Sequence, residues 1–127
     1  LRKIYKDMFH WGETNKLRFA IVLDEAHRLS KDITLPKIMK EGRKFGILVI
    51  TASQGLGDFH QDVVDNVGSR IIFRTNYPIS RKIAKSLKIS KSIDLATEIE
   101  QLDVGYAYVK TPEMSVPQKV KMFNGLY

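Results

Sequence analysis

Residues 19–30 read FAIVLDEAHRLS, a stretch in which five apolar residues run directly into Asp24 and Glu25. A short, continuous apolar run rich in β-branched residues is typical of a strand that is buried on both faces of a sheet. We therefore predict a buried strand over residues 18–23, with a pair of adjacent carboxylates at its end. What those carboxylates hold is the first question about function.

A second apolar run, GILVITASQ over residues 46–54, has the same character and ends at Gln54. Residues 33–46, ITLPKIMKEGRKFG, lie between the two runs and contain a predicted helix. Two strands joined in this way form a βαβ unit and lie parallel. Because ligands gather outside the carboxyl ends of parallel strands, we expect Asp24, Glu25 and Gln54 to share one edge of the sheet.

The rest of the chain completes an α/β pattern, and we predict a single domain over residues 1–127. A third strand is predicted at RIIFRT, residues 70–75, and the glycine-flanked GLGDF, residues 55–59, is predicted to be a loop. Further helices are predicted over residues 2–11, 60–69, 80–90 and 92–102, and a terminal β-hairpin over residues 104–111 and 117–123.

Composition narrows the class of protein. Lys and Arg number 21 against 14 Asp and Glu, a formal net charge of +7, which favours a polyanionic partner but also fits a plain basic surface. The chain has no cysteine, so disulfides and thiolate metal sites are excluded. Its apolar runs are much shorter than the ~20 residues that cross a bilayer, and we predict a cytoplasmic protein without a membrane partner.

The acid pair and the amide suit nucleoside triphosphate hydrolysis. A carboxylate such as Asp24 can hold hydrated magnesium, and a neighbouring acid such as Glu25 can orient or deprotonate the attacking water. Gln54 can donate to the terminal phosphate and accept from that water. The same acid pair also fits a simpler role as the cap of the following helix.

The phosphate-binding part of such a site is absent from the sequence. A P-loop needs a glycine followed by lysine and then by serine or threonine, and none of the eight glycines precedes a lysine. Without that loop the chain has neither a backbone cradle for the β-phosphate nor a lysine to neutralise it. We therefore expect the chain to be the C-terminal part of a split ATPase site, inactive by itself.

Four segments together resemble the HerA family of hexameric DNA translocases, within the HerA/FtsK group of RecA-like ATPases. They are FAIVLDEAHRL, EGRKFGILVITASQ, NVGSRIIFRT and VGYAYVK, and the resemblance covers most of the chain, from about Phe19 to Lys110. The resemblance implies a RecA-like parallel sheet flanked by helices, with ATP and Mg²⁺ as cofactors. It also implies that Asp24 and Glu25 are the Walker B pair, with Asp24 binding Mg²⁺ through water, and that Gln54 is the sensor.

The resemblance further implies that Arg43, in EGRKFG, projects into the ATP site of a neighbouring subunit. An arginine delivered in trans stabilises charge on the transferring phosphoryl group and makes hydrolysis depend on the ring. Considered without the family, Arg43 also fits a solvated helix end. Arg74 is a second interface candidate, although a plain strand-end arginine fits it as well.

Family rings act as hexamers on double-stranded DNA, in some cases beside a NurA-type nuclease. The basic segment over residues 80–91 is the candidate for DNA contact, although such a run also keeps a helix soluble. Its candidate residues are Arg81, Lys82, Lys85 and Lys88.

The chain departs from the family pattern after Gln54, where GLGDF stands in place of the Arg-Pro of many relatives. Two other functions remain open. One is a VirB4-type secretion or conjugation ATPase, and the other is a non-catalytic assembly module that lost its P-loop. A superfamily 2 helicase, which shares the letters DEAH, fits less well because no downstream arginine motif of that class is present.

Overall fold

The computed structural model describes residues 1–55 and 59–122, except for the side chain of His27. These residues form two compact units, the first over Leu1–Val67 and the second from Gly68 onward. The predicted loop at residues 55–59 lies mostly outside the described residues. The helices are α1 (Arg2–Trp11), α2 (Thr34–Glu41), α3 (Gln61–Asn66), α4 (Ile79–Ser86) and α5 (Ser92–Glu100), with 3₁₀ helices at Ala26–Leu29 and Gly42–Phe45. The strands are β1 (Phe19–Leu23), β2 (Ile47–Thr51), β3 (Arg70–Ile72), β4 (Tyr106–Lys110) and β5 (Gln118–Lys121).

The first unit is built on a parallel pair of strands. β1 and β2 pair in register from Phe19 opposite Ile47 to Leu23 opposite Thr51. The α2 segment supplies the crossover, because parallel strands need a long connection between them. The predicted parallel βαβ unit is confirmed, and the predicted helix over residues 2–11 coincides with α1.

Among the described residues, helices cover only one face of this two-stranded sheet. Phe19, Ile21, Ile47 and Val49 pack against a core that includes Met8, Ile38 and Phe45, contributed by α1, α2 and the second 3₁₀ helix. The opposite face carries Val22, Leu48 and Ile50, which are 67%, 46% and 49% exposed. The prediction that both strands are buried on both faces is therefore wrong for this chain, because successive side chains of a strand point to opposite faces and helices pack on only one of them.

The second unit contains an antiparallel sheet in the order β3-β4-β5. The predicted terminal hairpin is confirmed, with Tyr106 opposite Lys121 and Val109 opposite Gln118. β3 joins this hairpin rather than the parallel pair, placing Ile72 opposite Tyr108. The core of this unit is formed by Ile72, Ala84, Leu95, Ala96, Ile99, Leu102 and Tyr108.

The helices of the second unit pack as their sequence spacing predicts. Ile83 and Leu87, four positions apart, lie against the core, so the basic residues of α4 occupy the solvent side. Two partly buried hydrogen bonds tie α5 to its neighbours: the Ser80 hydroxyl of α4 donates to Glu100, and the Tyr108 hydroxyl of β4 donates to Glu98 Oε2 at 2.6 Å. Within the described ranges, no helix is long and apolar enough to cross a membrane.

Candidate functional site

The carboxyl ends of β1 and β2 are joined by backbone hydrogen bonds. The Ala52 N–H donates to the Leu23 carbonyl at 2.9 Å, and the Ala26 N–H donates to the Ala52 carbonyl at 3.1 Å. The segment that carries Asp24 and Glu25 is thus tied to the segment that leads to Gln54. The structure brings the three residues to one edge of the sheet, and all three side chains are exposed there.

Asp24 has the surroundings of a ligand for a hydrated cation. Its Oδ1 accepts the Glu25 backbone N–H at 2.9 Å, which fixes the orientation of the carboxylate. Across the described part of the chain, no ion pair neutralises Asp24. Mg²⁺ keeps several of its waters and is usually held by one or two carboxylates together with substrate phosphates, so a single exposed carboxylate fits a water-mediated magnesium site.

Glu25 has an uncommon backbone conformation. Its φ is 51°, in the left-handed region that residues other than glycine adopt at a cost. Its Oε2 lies 3.6 Å from Arg28 Nη2, in a solvent-exposed ion pair that contributes little stability. Strained residues persist where the surrounding structure holds them and are concentrated at functional sites, so this conformation supports a functional role for Glu25.

The simpler role of the acid pair, as a helix cap, is filled by another residue. Asp32 caps α2, because its Oδ1 accepts the N–H groups of Thr34 at 2.7 Å and Leu35 at 3.0 Å. The 3₁₀ helix after the acid pair starts with the Ala26 N–H donated to the Ala52 carbonyl. The pair is therefore not needed as the cap of the following α-helix.

Arg43 lies in the 3₁₀ helix Gly42–Phe45, which we call the Arg43 turn. Its side chain is exposed. The turn ends at Gly46, whose φ of 76° and ψ of 24° reverse the chain into β2. In the second unit, Arg74 is exposed after β3, and the four predicted DNA-contacting residues Arg81, Lys82, Lys85 and Lys88 are exposed along and just beyond α4.

Asp24, Glu25 and Gln54 are exposed at the strand ends. A cavity of about 460 Å³ does lie nearby, beside the first 3₁₀ helix, and its lining includes Arg2, Arg28 and Lys31. It contains none of the predicted catalytic side chains.

Tyr5 and Glu41 were not singled out by the sequence, yet they contact each other beside the Arg43 turn. The Tyr5 hydroxyl donates to Glu41 Oε2 at 2.8 Å, across a separation of 36 residues. This hydrogen bond raises the pKa of Tyr5, with smaller contributions from burial and from the Glu41 charge. The sequence spacing shows only that Tyr5 lies on α1, so no local signal could have revealed its partner.

Proteins of similar sequence are helicases by name. The chain is 32% identical over 128 residues to the DNA double-strand break repair helicase HerA of Saccharolobus solfataricus, covering 92% of the chain and 26% of that protein. It is 29% identical to the probable HerA helicase of Methanocaldococcus jannaschii, covering 84% of the chain and 23% of that protein. The chain thus spans about a quarter of the length of these relatives. No protein-family model matches it.

Solved structures show the same fold. The bacterial conjugative coupling protein TrwB superposes on 94% of the chain and 35% of its own with a TM-score of 0.77 at 20% identity. The genome packaging NTPase B204 of Sulfolobus turreted icosahedral virus 2, in complex with ATPγS, covers 82% of the chain and 52% of its own with a TM-score of 0.65 at 16% identity. The predicted RecA-like fold of P-loop ATPases is confirmed.

Proposed function

Because the chain is related to the HerA helicases and has the fold of the RecA-like P-loop ATPases, we propose that it is the C-terminal portion of an ATP-driven DNA translocase. The observation that carries this proposal is the junction of β1 and β2, which gathers Asp24, Glu25 and Gln54 at one edge. In this proposal the chain supplies the water-activating half of the nucleotide site, and additional polypeptide supplies the phosphate-binding half.

The exposed face of the parallel sheet supports the idea of a missing half. Val22, Leu48 and Ile50 present apolar side chains to solvent on adjacent strands, and apolar patches of this kind usually mark a surface that another element covers. The sequence also lacks a P-loop. We call a polypeptide that combines this chain with a P-loop segment the complete subunit.

Each residue of the acid edge has a distinct proposed role. A magnesium ion bound with ATP would supply neutralisation of the phosphate charge. Asp24 would hold that cation through water, and its carboxylate is already oriented by the Glu25 N–H. Glu25 orients the attacking water and accepts its proton. Gln54 donates to the terminal phosphate and thereby reports the presence of triphosphate.

Arg43 is proposed to act on a neighbouring subunit. Its side chain is exposed, and the planar guanidinium of an arginine can donate two hydrogen bonds to the oxygens of a phosphoryl group. A site completed by the next subunit favours a closed ring, for which a hexamer is the proposed form.

The same ring is proposed to bind double-stranded DNA through α4. Arg81, Lys82 and Lys85 lie along α4, and Lys88 follows its end. All four side chains are exposed, whereas Ile83 and Ala84 face the core. Lysine and arginine at such positions can contact backbone phosphates without reading base sequence, which suits a motor that moves along DNA.

The test uses complete subunits that carry either Glu25→Gln or Arg43→Ala. Each variant alone should lose magnesium-dependent ATPase activity, and the Glu25→Gln variant should retain bound ATP. If Arg43 acts in trans, rings assembled at random from equal amounts of the two variants should recover about one quarter of the wild-type ATPase activity. The reason is that one interface in four then pairs an intact Glu25 with an intact Arg43.

Each outcome of this experiment has a defined meaning. No activity in mixed rings, despite normal assembly, would refute action of Arg43 across an interface. Normal hydrolysis by the Glu25→Gln variant would remove the water-orienting role of Glu25. A complete subunit that binds and hydrolyses no ATP even with the natural residues would favour a non-catalytic assembly module instead.

A further inference from the structure

The Arg43 turn is held by the segment that precedes β1. The Phe9 ring meets the Phe45 ring edge-on, with centroids 5.2 Å apart. The Thr14 backbone N–H donates to the Lys44 carbonyl at 2.9 Å. Arg18 donates to the Phe45 carbonyl at 3.5 Å. Thus α1 and the loop after it contact the turn through one ring pair and two hydrogen bonds.

The start of the turn is held by Tyr5. Its hydroxyl donates to Glu41 Oε2 at 2.8 Å, and Glu41 is the last residue of α2, two positions before Arg43. The Tyr5 ring is itself fixed by the Phe9 ring, 5.2 Å away and nearly perpendicular. One hydrogen bond therefore joins α1 to the end of α2 where the Arg43 turn begins.

The Arg43 side chain depends on this backbone for its direction. Among the residues that the structure describes, its guanidinium has neither an ion-pair partner nor a hydrogen-bond acceptor. A long, unpartnered side chain reaches a transition state efficiently only when the backbone that carries it is already held in place. Any backbone motion that remains must be lost before the reaction, and this loss lowers the rate. The contacts at the base of the turn are thus the means by which this chain can aim Arg43.

From these contacts, and resting on the proposed action of Arg43 in trans, we infer that Tyr5 is a positioning residue for Arg43. Its hydrogen bond to Glu41 holds the Arg43 turn so that the guanidinium reaches the phosphoryl group in the neighbouring subunit. Tyr5 contacts neither nucleotide nor metal in this scheme, and it acts only through Glu41 and the turn.

The test is Tyr5→Phe in the complete subunit, which removes one hydroxyl and leaves the ring that packs on Phe9. We expect kcat for ATP hydrolysis to fall about tenfold with KM nearly unchanged, because the lost interaction is one made in the transition state. Tyr108→Phe is the matched control. It also removes one tyrosine–carboxylate hydrogen bond, to Glu98 in the second unit, and should leave kcat near the wild-type value.

Two further variants separate positioning from general destabilisation. In the Glu41→Ala background, Tyr5→Phe should cause no additional loss of kcat, since residues that act through one shared hydrogen bond are not additive. Glu41→Gln keeps an oxygen that can accept the Tyr5 hydroxyl, so it should retain more activity than Glu41→Ala.

The failure of this inference differs from the failure of the proposed function. If Arg43→Ala leaves kcat unchanged, the proposed trans arginine is wrong. If Arg43→Ala abolishes activity but Tyr5→Phe behaves like Tyr108→Phe, the positioning role is overturned while the proposed function stands. An additional tenfold loss of kcat when Tyr5→Phe is combined with Glu41→Ala would also overturn it, because Tyr5 would then act independently of Glu41.

Discussion

Gly46, which closes the Arg43 turn, offers a direct test of how tightly the first unit is built. Its φ of 76° lies in the left-handed region, and a Cβ built there would lie 2.4 Å from the Lys16 carbonyl oxygen and 2.9 Å from Thr14 Cγ2. The first contact is with backbone, which cannot rotate away. Gly46→Ala therefore introduces both backbone strain and a steric overlap.

The magnitude follows from these two effects. A left-handed conformation costs a residue with a Cβ about 1–2 kcal/mol. Inserting a methyl group into a packed site costs about 1–3 kcal/mol. The alanine also restricts the unfolded chain, which offsets about 0.4–1 kcal/mol of the loss. We expect Gly46→Ala to lower the free energy of unfolding of the first unit by about 3 kcal/mol.

The assay is urea denaturation of the chain, followed by the fluorescence of Trp11. This residue is the only tryptophan, and its ring meets Phe19 at 5.4 Å, so its emission reports on the first unit. With a denaturant dependence of about 1.5 kcal/mol per molar urea, the midpoint should fall by about 2 M.

Two glycine variants serve as controls. Gly55→Ala should leave the midpoint nearly unchanged, because a Cβ there meets no atom of the described residues within 4 Å. Gly12 has a φ of +77°, but a Cβ there also has no neighbour within 4 Å in the described part of the chain, so Gly12→Ala measures backbone strain without overlap. If Gly46→Ala has the same urea midpoint as Gly55→Ala, the predicted destabilisation is refuted. If it has the same midpoint as Gly12→Ala, backbone strain alone explains the loss and the predicted steric overlap contributes nothing.

Two other predictions concern the second unit. Burial, together with the hydrogen bond to Glu98 and the charge of that carboxylate, raises the pKa of Tyr108 from 10.0 to about 12. The protonated Tyr108 hydroxyl therefore stabilises the fold fully below pH 10, and this contribution is lost as the pH rises to about 12. The wild-type chain should thus lose more stability over this interval than Tyr108→Phe, by up to about 2 kcal/mol because solvent partly screens the interaction. Urea titrations followed by circular dichroism measure this difference, and parallel curves would contradict the assignment. Replacing Lys82 and Lys85 with glutamine in the complete subunit should reduce the magnitude of the slope of log affinity for duplex DNA against log salt concentration by about 2. Lys40→Gln, the control, should leave this slope unchanged. An unchanged slope in the α4 variant would exclude α4 from the DNA contact.

The sequence predicted the parts of the fold that depend on local periodicity. The apolar runs, the crossover helix and the terminal hairpin follow from the spacing of apolar residues, and the parallel direction of β1 and β2 follows from the length of their connection. The convergence of Asp24, Glu25 and Gln54 at one edge was predictable for the same reason. Their catalytic roles remain proposals.

Other features depend on packing between distant residues. The exposure of Val22 and Ile50 could not be read from an apolar run, because such a run shows that a strand can be buried but not which faces are covered. The association of β3 with the hairpin is likewise a choice of pairing partner that local sequence does not encode.

By itself, the amino-acid sequence determined the order of strands and helices, the polar residues at the strand ends and the absence of a P-loop, since each is a property of consecutive residues. Only the tertiary structure decided that Asp32, rather than the acid pair, caps α2, that Glu25 adopts a left-handed backbone, and that Tyr5 bonds to Glu41 at the base of the Arg43 turn. The physical reason is that each of these depends on where separate segments meet in space, and that is fixed by packing of the whole unit.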